Sequence, residues 1–339
     1  MTTDRSNRVI VKSIFIVHQG AIGDFILSLP SLEAIHRFHS QSRFIFLGHP
    51  AIIEIIHSRP YFDFVLNCSD KRWAPLYNSK VKLETGIFDS LPPVDSIFAF
   101  CRISSQTLVD NLARIYRKPS YRIDPFPEPS LGLHVSDYQC RQLEELGIPS
   151  LPSSAPVIAP SQQDLLEASR FFQENVREKT RLVLIHPGSG GRKKLWPVAG
   201  WLDLMMKIST ENNIKIALIE GPADNEVVQQ ICSKVGSVSL LIVDNWRLGK
   251  LAALIKHSSL YVGNDSGITH LAAACNTPTI ALFGPTDPRI WGPEGSKVKV
   301  VTWQLKSSAH DSEGEPENIN KAPLETELVW KLARDYLKI

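Results

Sequence analysis

Short apolar runs alternate with longer stretches of amphipathic spacing along nearly the whole chain. That alternation predicts buried strands linked by helices, an α/β architecture with parallel sheets. Two such series follow one another. The first opens with Ser13-Ile-Phe-Ile-Val-His18, turns through Gln19-Gly-Ala-Ile-Gly23, and enters a helix on which Ile26, Leu29, Ile35 and Phe38 share a face. Phe44 to Leu47, Phe62 to Leu66 and Ser96 to Phe100 read as further strands, and Tyr138 to Leu146, stopped by Gly147, as a helix.

Residues 149–160, PSLPSSAPVIAP, are too rich in proline and serine for a helix or a central strand and begin an interdomain linker. A polar helix from Gln162 to Lys179 leads into the second series. Its strands are Arg181 to His186, Ile214 to Ile219, Ser239 to Val243, Leu260 to Val262 and Thr279 to Phe283. Trp303 to Lys321 is polar and aperiodic and reads as a loop, after which Pro323 to Leu337 resumes a helical pattern.

Composition adjusts this picture only slightly. A chain of 339 residues with 43% hydrophobic and 21% charged residues fits two globular domains rather than a disordered or fibrous protein. Its 37 basic and 35 acidic residues leave a net charge of +2, too even for a protein that must neutralise many phosphates, so no nucleic-acid partner is expected. No apolar stretch near the start approaches the ~20 residues of a membrane span. No signal peptide is evident either. The cysteines, Cys68, Cys101, Cys140, Cys232 and Cys275, are scattered without a CxxC pair, and no HExxH occurs, so a reducing cytoplasm fits and a zinc site is not expected.

Four segments carry candidate chemistry, and the first three follow strands directly, where parallel α/β sheets bind ligands. In Gly20-Ala-Ile-Gly23-Asp24, glycines allow close backbone approach, and Asp24 either caps the helix or faces a cleft. The turn is not GxGxxG, which disfavours a dinucleotide site. In His186-Pro-Gly-Ser-Gly-Gly-Arg-Lys-Lys-Leu-Trp-Pro197, Ser189, Gly190 and the loop amides offer donors to an anion beside Lys193 and Lys194; the other reading is a solvated basic loop. The spacing is not that of a P-loop. In Val262-Gly-Asn-Asp-Ser-Gly-Ile-Thr-His270, Ser266 and Gly267 stand at a helix start suited to phosphate. Asp265 would repel phosphate, so it either caps that helix or accepts from ligand hydroxyls, and His270, one turn in, is either structural or a contact. The stiff loop Phe283-Gly-Pro-Thr-Asp-Pro-Arg-Ile-Trp-Gly-Pro293 could wall a pocket.

In this order, GAIGDFILSLP, HPGSGGRKKLWP and VGNDSGITHLAAACNTPTIALFGPTDPRIWGP resemble the glycosyltransferase family 9 of bacterial ADP-heptose:lipopolysaccharide heptosyltransferases. HVSDYQCRQLEELGIP resembles that family's segment before the linker. The resemblance implies a GT-B fold of two Rossmann-like domains facing across a cleft. Residues 1–160 would form the acceptor side, 161–180 the linker and its helix, and 181–322 the nucleotide-sugar side. Helix 323–338 would cross back onto the first domain. It further implies inverting transfer of heptose from an ADP-sugar donor to a lipopolysaccharide core acceptor. No metal or other cofactor is implied, and the sequence contains no Asp-x-Asp.

Carried onto this chain, Asp24, preceded by Gly23, would be the general base, and Lys194 would neutralise the departing diphosphate, with Lys193 as the alternative in register. Ser189, Gly190, Ser266 and Gly267 would bind phosphate, Asp265 and His270 would lie near the donor, and Glu220 and Gly221 would serve the nucleotide. A cytoplasmic monomer with peripheral contact at the inner membrane face is the corresponding expectation. Another nucleotide-sugar donor, an epimerase or hydrolase on the same fold, and a non-catalytic binding module remain open. Basic residues between Lys71 and Arg122, Arg102 among them, either face a phosphorylated glycolipid or form a solvated surface.

Overall fold

The computed structural model describes residues 12–56, 62–79, 91–150, 155–304 and 325–339. The first domain contains β1 (Ser13–His18), α1 (Ile22–Leu27), α2 (Leu29–Phe38), β2 (Arg43–Gly48), α3 (Pro50–Ile56), β3 (Phe62–Asn67), β4 (Ser96–Phe100), α4 (Gln106–Tyr116), β5 (Ser120–Ile123) and α5 (Val135–Glu145). The second contains α6 (Gln162–Asn175), β6 (Arg181–His186), α7 (Val198–Ser209), β7 (Ile214–Glu220), α8 (Asn225–Lys234), β8 (Leu240–Asp244), α9 (Leu248–His257), β9 (Leu260–Asn264), α10 (Gly267–Ala274), β10 (Thr279–Phe283), α11 (Pro288–Trp291), β11 (Val298–Thr302) and α12 (Thr326–Leu337). Both sheets are wholly parallel, in the orders β3-β2-β1-β4-β5 and β11-β10-β9-β6-β7-β8. Strand order therefore reverses beside β1 in one sheet and between β6 and β9 in the other, and ligand crevices in such sheets open at these points.

Burial explains why the central strands were readable. β1 is buried at all six positions and β9 and β10 at all five, because helices cover both faces of a parallel sheet. The strands that sequence reading missed, β5 and β11, lie at sheet edges. Their residues, Ser-Tyr-Arg-Ile and Val-Lys-Val-Val-Thr, are only partly buried and carry no continuous apolar signal.

One apolar core runs through both domains. Ile14, Ile16, Phe25 and Phe46 of the first join Leu182, Leu184, Leu254 and Leu271 of the second, with α1 packed on α10 and α3 on α9. The polar helix read as part of the linker is α6. It packs on α9 through Ala168 and its neighbours and so belongs to the second domain.

One expectation is overturned. Helix α12 does not cross back to the first domain. Val329, Ala333 and Leu337 are buried against the second domain's own core with Trp201, Leu204 and Val183, and Lys207 of α7 bonds Glu327 at 2.5 Å. Its apolar face finds the uncovered side of the second sheet, where β9, β10 and β11 receive it. The loop expected over Trp303 to Lys321 lies, beyond residue 304, outside the described residues, as do Lys80 and Lys82 of the basic stretch.

Candidate active site

The three glycine-containing turns fall where the sheets reverse. β1 ends at His18 and the chain enters α1 with Asp24 at its third position. From there the Asp24 carboxylate reaches back and accepts the Ala21 amide at 3.0 Å, satisfying one of the helix's orphan donors. The cap reading of this residue thus holds. Burial raises the Asp24 carboxyl above its ordinary 3.8, against the opposing pull of the Ala21 amide and the charges of Arg102 and Lys194. Beneath the turn, His18 is fully buried between Phe25 and Phe100, and burial drives its imidazole down to about 3. His18 Nε2 lies 3.1 Å from Ser28 Oγ, and that hydroxyl donates to the Asp24 carbonyl at 2.8 Å, so the base of the Asp24 turn rests on a neutral histidine.

Across the cleft, Asn264 at the end of β9 fixes the loop after β6. Its Oδ1 accepts the Trp196 amide at 3.1 Å, and its Nδ2 donates to the Pro187 carbonyl at 2.7 Å. Ser189 Oγ donates to the Asp265 carbonyl at 2.7 Å, and Lys194 Nζ stands 2.8 Å from Asp265 Oδ2. Lys194 is the residue that the register brings inward, whereas Lys193 is exposed. Ser266 is the N-cap of α10, accepting the Thr269 amide at 3.4 Å. Asp265 is therefore not the cap; it is the buried partner of Lys194, 5% exposed.

Between the domains lies a cavity of about 550 Å³, lined by Ser189, Gly190, Glu220, Gly221, Ser266 and Gly267 from the sequence-derived set. Sequence reading missed the rest of its wall. His186 and Asp224 stand at the polar end, beside Ser266 and Gly221. Val243, Trp246, Leu248 and Leu251 make an apolar end, and Ala51 and Glu54 close it from the first domain. Glu54 Oε2 accepts the Leu248 amide at the start of α9 at 2.6 Å, an interdomain bond with no motif to announce it.

The domains meet at glycines. A Cβ on Gly23 would lie 3.2 Å from the His270 ring. His270 itself is buried and does not line the cavity; burial lowers its imidazole to about 4, with Asp265 opposing and His134 and Lys194 adding to the shift. Asp24, Lys194 and Asp265 likewise stand outside the cavity's lining, and His270 meets the first domain at Gly23. A second bridge joins the His134 ring, whose Nε2 donates to the Gly292 carbonyl at 2.9 Å, to the fourth motif. Trp291 of that motif packs on Phe126, with ring centroids 5.0 Å apart, and the Arg102 guanidinium covers the same Phe126 at 4.7 Å. No group of three His, Cys, Asp or Glu suited to a metal occurs among the described residues.

Comparison with known proteins agrees with this geometry. Residues 132–319 match the family described as glycosyltransferase family 9 (heptosyltransferase). The chain is 54% identical over 293 residues to a lipopolysaccharide heptosyltransferase 3 of Escherichia coli, covering 80% of this chain and 83% of that one. In structure it resembles a family 9 glycosyl transferase of Veillonella parvula, with a TM-score of 0.77, 20% identity and 96% and 97% of the two chains covered. It also resembles the E. coli ADP-heptose lps heptosyltransferase II, with a TM-score of 0.71, 16% identity and 96% and 98% covered. Two Rossmann-like sheets with their reversal points turned to one cleft, and a match over more than half its length, place this chain in glycosyltransferase family 9, as a glycosyltransferase of GT-B fold.

Proposed function

We propose that the protein moves a heptose from ADP-heptose to a sugar hydroxyl of the lipopolysaccharide core, inverting the anomeric centre without a metal ion. The observation that carries this is the packing of α1, which bears Asp24, on α10, whose start adjoins the Lys194–Asp265 pair. A base and a diphosphate-neutralising cation thus stand on opposite walls of one cleft. The nucleoside occupies the apolar end of the cavity near Trp246 and Leu251, and the diphosphate lies against Ser189, Gly190, Ser266 and the first turn of α10. The sugar then projects toward Asp24.

In the reaction, Asp24 takes the proton of the acceptor hydroxyl as its oxygen bonds to the anomeric carbon. The bond from that carbon to the diphosphate breaks on the opposite face. Lys194 and the amides at the start of α10 hold the charge that grows on the departing ADP. Burial suits Asp24 to this, since a carboxyl raised above its ordinary value is a stronger base. Arg102, stacked on Phe126 on the acceptor side, faces the phosphorylated glycolipid.

Among the described residues no helix is long and apolar enough to cross a membrane. The proposed setting is a monomer at the cytoplasmic face of the inner membrane, in peripheral contact with its lipid acceptor.

Incubation with ADP-heptose and a panel of truncated core acceptors, with products identified by mass spectrometry, tests the reading. Heptosylated acceptor supports it. Donor conversion without acceptor, or no reaction with any ADP-sugar, would overturn it.

A further inference from the structure

The transfer as described makes no use of Asp224, yet the second domain is built around its carboxylate. A Cβ on Gly188 would overlap Asp224 Oδ1 and Cγ, and one on Gly221 would lie 2.9 Å from Oδ2, so two glycines leave room for a buried acid. Asp224 Oδ2 accepts the Gly221 amide at 2.9 Å and lies 3.0 Å from His186 Nε2. Burial raises this carboxyl, but the His186 hydrogen bond, the His186 charge and the Gly221 amide outweigh it and hold the group below its ordinary value. An ionised carboxylate only accepts, so His186 Nε2 carries a hydrogen. The other ring nitrogen, Nδ1, lies 3.2 Å from Ser266 Oγ. All three residues line the donor cavity.

Hydrogen counting at Ser266 then gives two states. When His186 is neutral, Nδ1 bears a lone pair and the Ser266 hydroxyl turns its hydrogen toward it. When both ring nitrogens are protonated, Nδ1 donates to Ser266 Oγ, and the hydroxyl hydrogen is free to turn to Thr269 Oγ1 or, when an anion is present, to the cavity. Thr269 Oγ1, 3.2 Å from Ser266 Oγ, already gives its own hydrogen to the Asn264 carbonyl and lies 3.1 Å from the Tyr261 hydroxyl. An anion in the cavity selects the second state, because only that state offers it a hydrogen instead of a lone pair.

The geometry points to His186 as a proton-linked positioning residue: clamped by Asp224, it takes up one proton when a nucleoside diphosphate binds and thereby turns Ser266 into a phosphate donor. This rests on the donor reading given above. Asp224 is the counter-charge that makes the uptake possible. The other titratable and charged groups about the pair are Tyr261 on β9, Glu220 at the end of β7, the Lys194–Asp265 ion pair, and Glu54 and Arg247 across the same cavity.

Calorimetric titration of the intact protein with ADP, in two buffers of different ionisation enthalpy, measures the protons taken up. ADP's own phosphate also titrates, so the reading is the difference between parent and variants. Up to one more proton per ADP is expected for the parent than for His186→Asn, whose amide cannot take up a proton. Ser266→Ala leaves the His186–Asp224 bond untouched; it is expected to bind ADP about tenfold more weakly and to lose the same uptake. Equal proton counts in parent, His186→Asn and Ser266→Ala overturn the inference while leaving the donor reading intact. Absence of ADP binding by the parent overturns both.

Discussion

Gly267, the first residue of α10, lies so close to Gly23 of α1 that a Cβ added to it would stand 3.1 Å from the Gly23 amide nitrogen and 3.0 Å from Ile22 Cβ. The two walls of the cleft therefore touch backbone to backbone. Gly267→Ala is expected to push α1 away from α10 and to cost about 1–3 kcal/mol of stability through overpacking. Transfer should fall more than ADP affinity, since Asp24 rides on α1 and the nucleotide does not. Steady-state kinetics beside a denaturant titration measure both effects.

Asp24→Asn keeps an oxygen able to accept the Ala21 amide, so the helix start survives. What it loses is the capacity to take a proton. Turnover should drop by roughly 10²–10⁴-fold, with ADP affinity little changed. A variant that transfers sugar at the parent rate shows that another group is the base.

The acid limb of the rate profile should report Asp24. Its carboxyl is raised by burial, so activity is lost, as pH falls, at a higher pH than for an ordinary carboxylate. Arg102 and Lys194 both pull the value down. Arg102→Ala is therefore expected to move the limb further toward neutral pH, and Lys194→Ala to do so while also slowing transfer. A limb that stays in place in both variants assigns it to another group.

Two buried histidines set the acid stability. His18 and His270 are lowered to about 3 and about 4 from 6.5, so between those values the unfolded chain binds more protons than the folded one. Stability should therefore fall as pH drops below about 6.5, with each group contributing up to about 1.4 kcal/mol per pH unit. The loss from each stops at its folded value. His18→Gln should remove part of this slope in denaturant titrations run across the acid range.

Legibility in the sequence followed burial. β1, β6 and β10 could be delimited to the residue because both faces are covered, while β5 and β11 were missed at the half-exposed edges. Ser189 and Ser266 were singled out from the glycine-containing turns at strand ends and Gly221 from the family resemblance, and all three line the cavity. Glu54, His186 and Asp224 carry no spacing signal toward one another; long-range packing alone brings them to one cavity. His270 was visible as a residue but not as a domain support, because only the approach of Gly23 from the other domain gives it that part. The destination of α12 was equally hidden, since an amphipathic helix does not specify which apolar face receives it.

Helix α12 remains with the second domain, and among the described residues the chain passes from one sheet to the other only around 149–161. Even there Ile158 is already held to the Ala274 carbonyl at 2.8 Å. Among the described residues no strap returns from the second domain, so what limits the opening of the cleft is the shared core itself: any swing of one half must first part α1 from α10 and α3 from α9.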